Sequence, residues 1–165
     1  MLIYPENEWN KYDSSGTMLP YYTHDSLAWI EANIPKNVTV LEIGGGNSTI
    51  WWRKNAAHVD TIECDHVCAQ KLGCQTVDSF LIADTVSDIM KDYDVVIVDG
   101  DGDRESYILS AYIKCKQFFI VDNWQQSEVS VYSDAIVSYL TENTSHVHIF
   151  KQHNHKDWKT AIFIK

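Results

Sequence analysis

The stretch VLEIGGGNSTIWW, Val40 to Trp52, sets three consecutive glycines between a β-branched apolar run and a segment with helical character. Strand, glycine turn and helix in that order suit a ligand. Glycine permits a tight turn and close approach of backbone, and free N–H groups at the helix start favour a carboxylate or phosphate. A tight turn that holds nothing is the plainer reading, but three glycines in a row weaken local structure unless something compensates. Roughly twenty residues on, Glu63 closes the next apolar run, HVDTIE (58–63), where a carboxylate can accept both hydroxyls of a ribose. Glycine turn and spaced acid together point to an adenosine-containing cofactor. The dinucleotide fingerprint G-x-G-x-x-G is met only at its first two positions, by Gly44 and Gly46, with Thr49 standing at the third.

Further runs of the same kind follow: VTVLEI (38–43), a weaker CQTV (74–77), YDVVIVD (93–99) and QFFIVD (117–122). Segments with helical potential, 48–56, 65–72, 80–91 and 104–115, lie between them. Strand alternating with helix predicts a doubly wound, mostly parallel sheet covered on both faces. Upstream, Thr23 can cap a helix with Leu27, Ile30 and Ile34 on one face and Pro35 as its stop, expected to pack beside the first strand. After a helix at about 128–141, HVHIFK (146–151) and TAIFIK (160–165) are joined only by QHNHKDWK (152–159), too short for a helical crossover. The expected fold is therefore α/β, a mostly parallel seven-stranded sheet ending in an antiparallel hairpin, in a single domain over 1–165. Residues 1–23, with Trp9, Tyr12, Tyr21 and Tyr22, form an irregular aromatic segment that is either a lid over an acceptor or packing.

Composition narrows the function. The 165 residues are 45% hydrophobic with three prolines and no repeat, as in a globular chain. A net charge of −10, with no cluster of Lys and Arg, opposes a nucleic-acid backbone, so no nucleic-acid partner is expected. The start, MLIYPENEW, lacks a basic stretch followed by an apolar one, and no apolar run is long enough for a bilayer, so no membrane partner and a cytoplasmic location are expected. Cys64, Cys68, Cys74 and Cys115 then read as reduced thiols. Cys64, His66, Cys68 and Cys74 lack the paired C-x-x-C knuckles of a zinc site, and His146 with His148 and His153 with His155 read as solvated.

Ligands of open α/β sheets bind beyond the carboxyl ends of the strands, which here carry Glu42, Glu63, Asp99 and Asp122-Asn123. Either aspartate alone could cap the next helix; their joint placement on one sheet edge favours function. At these residues the chain resembles the class I S-adenosylmethionine-dependent methyltransferases. LEIGGGNST is similar to that family's first motif, above all to variants written LEfGsGnST and followed by tryptophans. Asp78-Ser79, YDVVIVDG and the final hairpin resemble its later elements, and the resemblance spans about residues 36–165. It implies a Rossmann-like methyltransferase fold and methyl transfer from S-adenosylmethionine to a small-molecule acceptor, expected to be a hydroxyl. Glu42, Gly44, Gly45, Gly46, Asn47 and Ser48 would hold the methionine end, Glu63 the ribose, Asp78 and Ser79 the adenine, and Asp99 would face the methyl group.

VDGDGDRESY and FFIVDNWQ are also similar to segments of cation-dependent O-methyltransferases, which implies Mg2+ held by Asp99, Asp122 and Asn123. Oxygen ligands of that kind suit magnesium, and the ion would activate a bound hydroxyl. The base lysine of that subfamily has no counterpart in Gly100-Asp101-Gly102-Asp103, and most of its N-terminal helical extension is missing. Without a metal, Asp99 would be the general base, Asp101 and His24 lesser candidates, and Asp122, Asn123 and Arg104 would orient the acceptor. Trp51 and Trp52 read as core. Two other readings stay open: a non-catalytic S-adenosylmethionine-binding subunit and a nicotinamide-dinucleotide domain. No stretch identifies the acceptor or an oligomer interface.

Overall fold

The computed structural model describes residues 12, 16, 18–125, 131–152 and 157–165. After α1 (His24–Asn33), strands and helices alternate: β1 (Thr39–Ile43), α2 (Asn47–Asn55), β2 (His58–Glu63), α3 (His66–Leu72), β3 (Gln75–Thr76), α4 (Ile82–Asp88), β4 (Tyr93–Val98), α5 (Arg104–Tyr112) and β5 (Cys115–Asp122). Then come α6 (Asp134–Glu142), β6 (His146–Lys151) and β7 (Lys159–Ile164). The seven strands form one sheet in the order β3-β2-β1-β4-β5-β7-β6. β1 to β5 pair in parallel, and β7 runs antiparallel to both β5 and β6. The strand order reverses between β1 and β4, which places a ligand crevice at their carboxyl ends.

Alternation along each strand divides the core in two. Leu41, Ile43, Val96, Val98, Phe119, Val121 and Phe163 face α5 and α6. Val40, Val95, Ile97, Ile120 and Ile162 face the other way, toward Leu27 and Ile30 of α1 and Trp51 and Trp52 of α2. Both tryptophans are core residues, 4% and 1% exposed, in edge-to-face contact.

Four local expectations are corrected. α1 makes most of its strand contacts with β6 and β7, not β1. Thr23 N donates to Thr160 Oγ1 (3.0 Å), His24 N to Gln152 Oε1 (3.0 Å), and Trp29 meets Phe118, His148 and Phe150. The segment 80–91 divides into a 3-10 turn, Ser79–Leu81, and the short α4, because Phe80 is 77% exposed and the apolar face begins at Ile82. The third strand shrinks to Gln75–Thr76. α6 starts at Asp134, capped by Ser133 Oγ accepting from Ile136 N (3.4 Å), while residues 128–130 lie outside the described part. Trp9, His153 and His155 also lie outside it. Of the aromatic N-terminal segment, Tyr12 is 46% exposed and pairs with Met18 in an isolated antiparallel bridge, whereas Tyr22 is buried against α1 and α2.

Candidate active site

The three glycines have three different surroundings. Gly44 has φ 93°, and a Cβ there would run into the backbone of Gly100 and Asp99. The contact is built by hydrogen bonds: Asp99 N and Gly100 N both donate to Ile43 O at 2.8 Å, and Gly44 N donates to Ile62 O at 2.8 Å. Gly45 N donates to Glu63 Oε2 (2.5 Å), and a Cβ on Gly45 would sit 2.9 Å from Leu72 Cδ1. A Cβ on Gly46 would meet nothing within 4 Å. That open side, at the start of α2, is where a ligand can approach.

Register brings the acids together. Glu42 pairs with Thr61 on one side and Ile97 on the other, Val98 pairs with Val121, and Asp122 pairs with Thr160. With alternation of period two, Glu42, Glu63, Asp99 and Asp122 share one face of the sheet edge, beneath Tyr22 and Trp52. Glu42 is fully buried; its Oε2 accepts from Thr49 Oγ1 (2.5 Å) and Thr61 Oγ1 (3.0 Å), while Oε1 has no partner among the described residues. Burial raises its carboxyl to about 7, against the nearby Ser48, Thr49 and Thr61 hydroxyls, which pull it down. Asn47 Nδ2 is likewise buried without a partner among the described residues. An acceptor and a donor, both orphaned beside the glycine turn, fit the ammonium and carboxylate of an amino acid such as the methionine end of S-adenosylmethionine. Glu63, 7% exposed, also accepts from Asp65 N at 2.7 Å.

Asp122 is 2% exposed and accepts from Thr160 Oγ1 at 2.6 Å. Burial raises its carboxyl to about 6, opposed by Thr160, Arg104, Asn123 and Trp158. Asp99 is pushed well above the usual carboxylate range, by burial first and by Asp122 second. Arg104, 6% exposed, reaches both, but most of its hydrogen bonding is to the main chain. Its Nε donates to Gly100 O (2.8 Å), Nη1 to Asp122 O (2.7 Å) and Nη2 to Asp99 O (2.8 Å), and Nη2 stands 3.9 Å from Asp99 Oδ1. Arg104 thus clamps the ends of β4 and β5 rather than reaching out to an acceptor. Burial works against its charge, yet Tyr132, Asp99 and Asp122 hold it above its ordinary value.

The magnesium expectation does not fit this arrangement. Among the described residues no group of three or more His, Cys, Asp or Glu side chains could hold a metal ion. The Asp122 carboxylate is taken up by Thr160 and Trp158, and a guanidinium already faces both aspartates. Asn123 sits at φ 53°, just past the strand end. The cysteines are free thiols, with Cys115 buried and the other three half-buried.

The remaining predicted residues lie apart from this group. Asp101 is exposed, on a loop where Gly102 has φ 109° and a Cβ would meet Tyr107 Oη. Asp78 is exposed, 3.9 Å from His66 Nε2, and Ser79 O accepts from Tyr107 Oη at 2.5 Å, so this pair forms an outer rim. The His24 ring nitrogen Nδ1 is 3.1 Å from Gln152 Nε2. Tyr22, which the sequence leaves open as lid or packing, is buried over the acids. It is 1% exposed, its hydroxyl accepts from Trp52 Nε1 (3.2 Å), and burial with nearby Glu42 and Asp99 keeps the phenol protonated. The contacts of Thr49, Thr61 and Thr160 were not legible, since a threonine in a strand or first turn carries no signal of what its hydroxyl touches.

No family model matches the chain, and no curated protein matches it. Solved structures do. Magnesium protoporphyrin IX methyltransferase from Synechocystis PCC 6803, with bound SAH, superposes with a TM-score of 0.60 at 12% identity over 85% of this chain and 80% of that one. An O-methyltransferase from Bacillus cereus in complex with SAH gives 0.60 at 14% identity over 89% and 84%. The N-methyltransferase NodS from Bradyrhizobium japonicum WM9 gives 0.59 at 13% over 86% and 93%. These neighbours share the sheet and differ in what they methylate. From strand order, glycine turn and hairpin alike, the chain has the fold of the class I S-adenosylmethionine-dependent methyltransferases.

Proposed function

We propose that this protein transfers the methyl group of S-adenosylmethionine to a small-molecule acceptor. The observation that carries this reading is the pair of buried, orphaned polar atoms, Glu42 Oε1 and Asn47 Nδ2, beside the open side of Gly46. A nicotinamide dinucleotide brings a pyrophosphate to such a turn, and a fully buried carboxylate like Glu42 would repel it. A zwitterionic amino acid suits it. Bound there, S-adenosylmethionine supplies an electrophilic methyl on a sulfonium. Glu42 and Asn47 hold the amino-acid end, Glu63 takes the ribose, and the Asp78-Ser79 rim borders the adenine. Asp99 faces the methyl position, while Arg104 and Thr160 fix the two aspartate-bearing strand ends so that donor and acceptor are aligned. Removal of metal ions changes nothing in this scheme.

Isothermal titration with S-adenosylhomocysteine and, separately, NADH tests it. Binding of the former alone is expected; binding of NADH alone overturns it. Methyl transfer from labelled S-adenosylmethionine to any acceptor of a panel then separates an enzyme from a non-catalytic binding subunit.

A further inference from the structure

The acids at the sheet edge bear on the acceptor. Glu42, Asp99 and Asp122 lie on the same face of adjacent strands β1, β4 and β5, roofed by a phenol that stays protonated. Arg104 is the guanidinium that faces Asp99 and Asp122, and it is anchored to three main-chain carbonyls. Arg53, the other guanidinium near Glu42, is exposed and donates to Leu72 O at 2.5 Å. Glu42 Oε1 is taken by the donor's ammonium in the reading above, which leaves Asp99 and Asp122 as the acids on the acceptor side. We infer that the acceptor is an amine, bound as its ammonium against Asp99 with Asp122 behind it, rather than a hydroxyl; this rests on the methyl-transfer reading above.

The charge balance supports it. A hydroxyl acceptor passes through a developing oxyanion, which the neighbouring carboxylates disfavour, and among the described residues the guanidinium there, Arg104, is engaged with three main-chain carbonyls. An ammonium is favoured by the same carboxylates. Asp99 takes one of its protons, the freed nitrogen lone pair attacks the methyl carbon, the C–N bond forms as the S–C bond breaks, and sulfur keeps the bonding pair. The positive charge passes from sulfur to the methylated nitrogen, with Asp99 now protonated and Asp122 the acid left to face it. The proton on Asp99 leaves to solvent with the product.

Two adducts test the inference without turnover. Both carry the adenosyl and homocysteine parts of the donor with nitrogen in place of sulfur; one bears an aminoethyl arm at the methyl position, the other a hydroxyethyl arm. Titrated into the full chain, the amine adduct should bind tighter by about tenfold or more, and Asp99→Asn should shrink that ratio. Should that variant not fold, the wild-type ratio still decides. Equal affinities, or preference for the hydroxyl arm, overturn the inference. If S-adenosylhomocysteine itself does not bind, the donor reading fails; if it binds and the amine preference is absent, only the amine assignment fails.

Discussion

Single residues divide here into those that build the crevice and those that line it, and the glycines separate the two most cleanly. Gly44 combines a left-handed φ of 93° with backbone contact to Gly100, so its missing side chain serves the β1–β4 junction. Gly46 is extended and faces open space, so under the proposed function its missing side chain leaves room for the ligand. Gly44→Ala should therefore cost about 2–5 kcal/mol of stability, from left-handed strain together with overpacking. Gly46→Ala should cost about 1 kcal/mol or less, yet weaken S-adenosylhomocysteine binding about tenfold or more. Urea unfolding and calorimetry on both variants measure the contrast. A stable Gly44→Ala, or a Gly46→Ala with unaltered affinity, contradicts the division.

Between elements, a few polar contacts decide how helices and strands meet at the site. Thr160 of β7 is fully buried, donates to Asp122 at the end of β5 and accepts from the backbone N of Thr23 at the head of α1. Thr160→Val strands two buried partners at once and should destabilise by about 2–5 kcal/mol, whereas Thr160→Ser, which keeps the hydroxyl, should recover most of the loss in the same denaturant titration. A loss below about 1 kcal/mol for the valine variant would mean that water replaces the hydroxyl. This junction also shows where sequence reading stops. The β strands and the final hairpin were legible because apolar runs and an eight-residue polar connection leave few alternatives. The docking of α1 was not, because its apolar face names no partner and the choice of β6 and β7 is made by Thr160, Gln152 and the Trp29 ring cluster. In the site, Glu42, Glu63, Asp99 and Asp122 could be found as acids at strand ends, where few structural roles compete. Arg104 could be found but not understood, since sequence does not say that its N–H groups face carbonyls. Tyr22 became part of the site only through the path of the chain before α1.

Across the whole molecule, concentrating acids on one sheet edge sets the pH dependence of stability. Burial raises Glu42 from 4.5 to about 7 and Asp122 from 3.8 to about 6, so over that interval the folded protein binds more protons than the unfolded chain. The stabilisation from these two groups is complete below their unfolded values and disappears as the pH rises through 6 and 7. Asp60, Asp94 and Asp103 are lowered, chiefly by hydrogen bonds that outweigh burial, and act in the opposite sense below about pH 4. The ligand-free protein should therefore be most stable near pH 5, and its unfolding free energy at pH 5.5 should exceed that at pH 8 by on the order of 2 kcal/mol. Glu42→Gln, which cannot ionise, should reduce that difference to the part due to Asp99 and Asp122. Saturating S-adenosylhomocysteine should do the same by a different route, because its ammonium favours the ionised Glu42 and stabilises the folded state more at pH 8 than at pH 5.5. Tryptophan fluorescence in urea, at both pH values with and without the ligand, reads all of these. Stability that is flat or rises from pH 5.5 to 8 in the ligand-free protein would place Glu42 in solvent contact, and with it would go the argument that this carboxylate is kept buried for a cation.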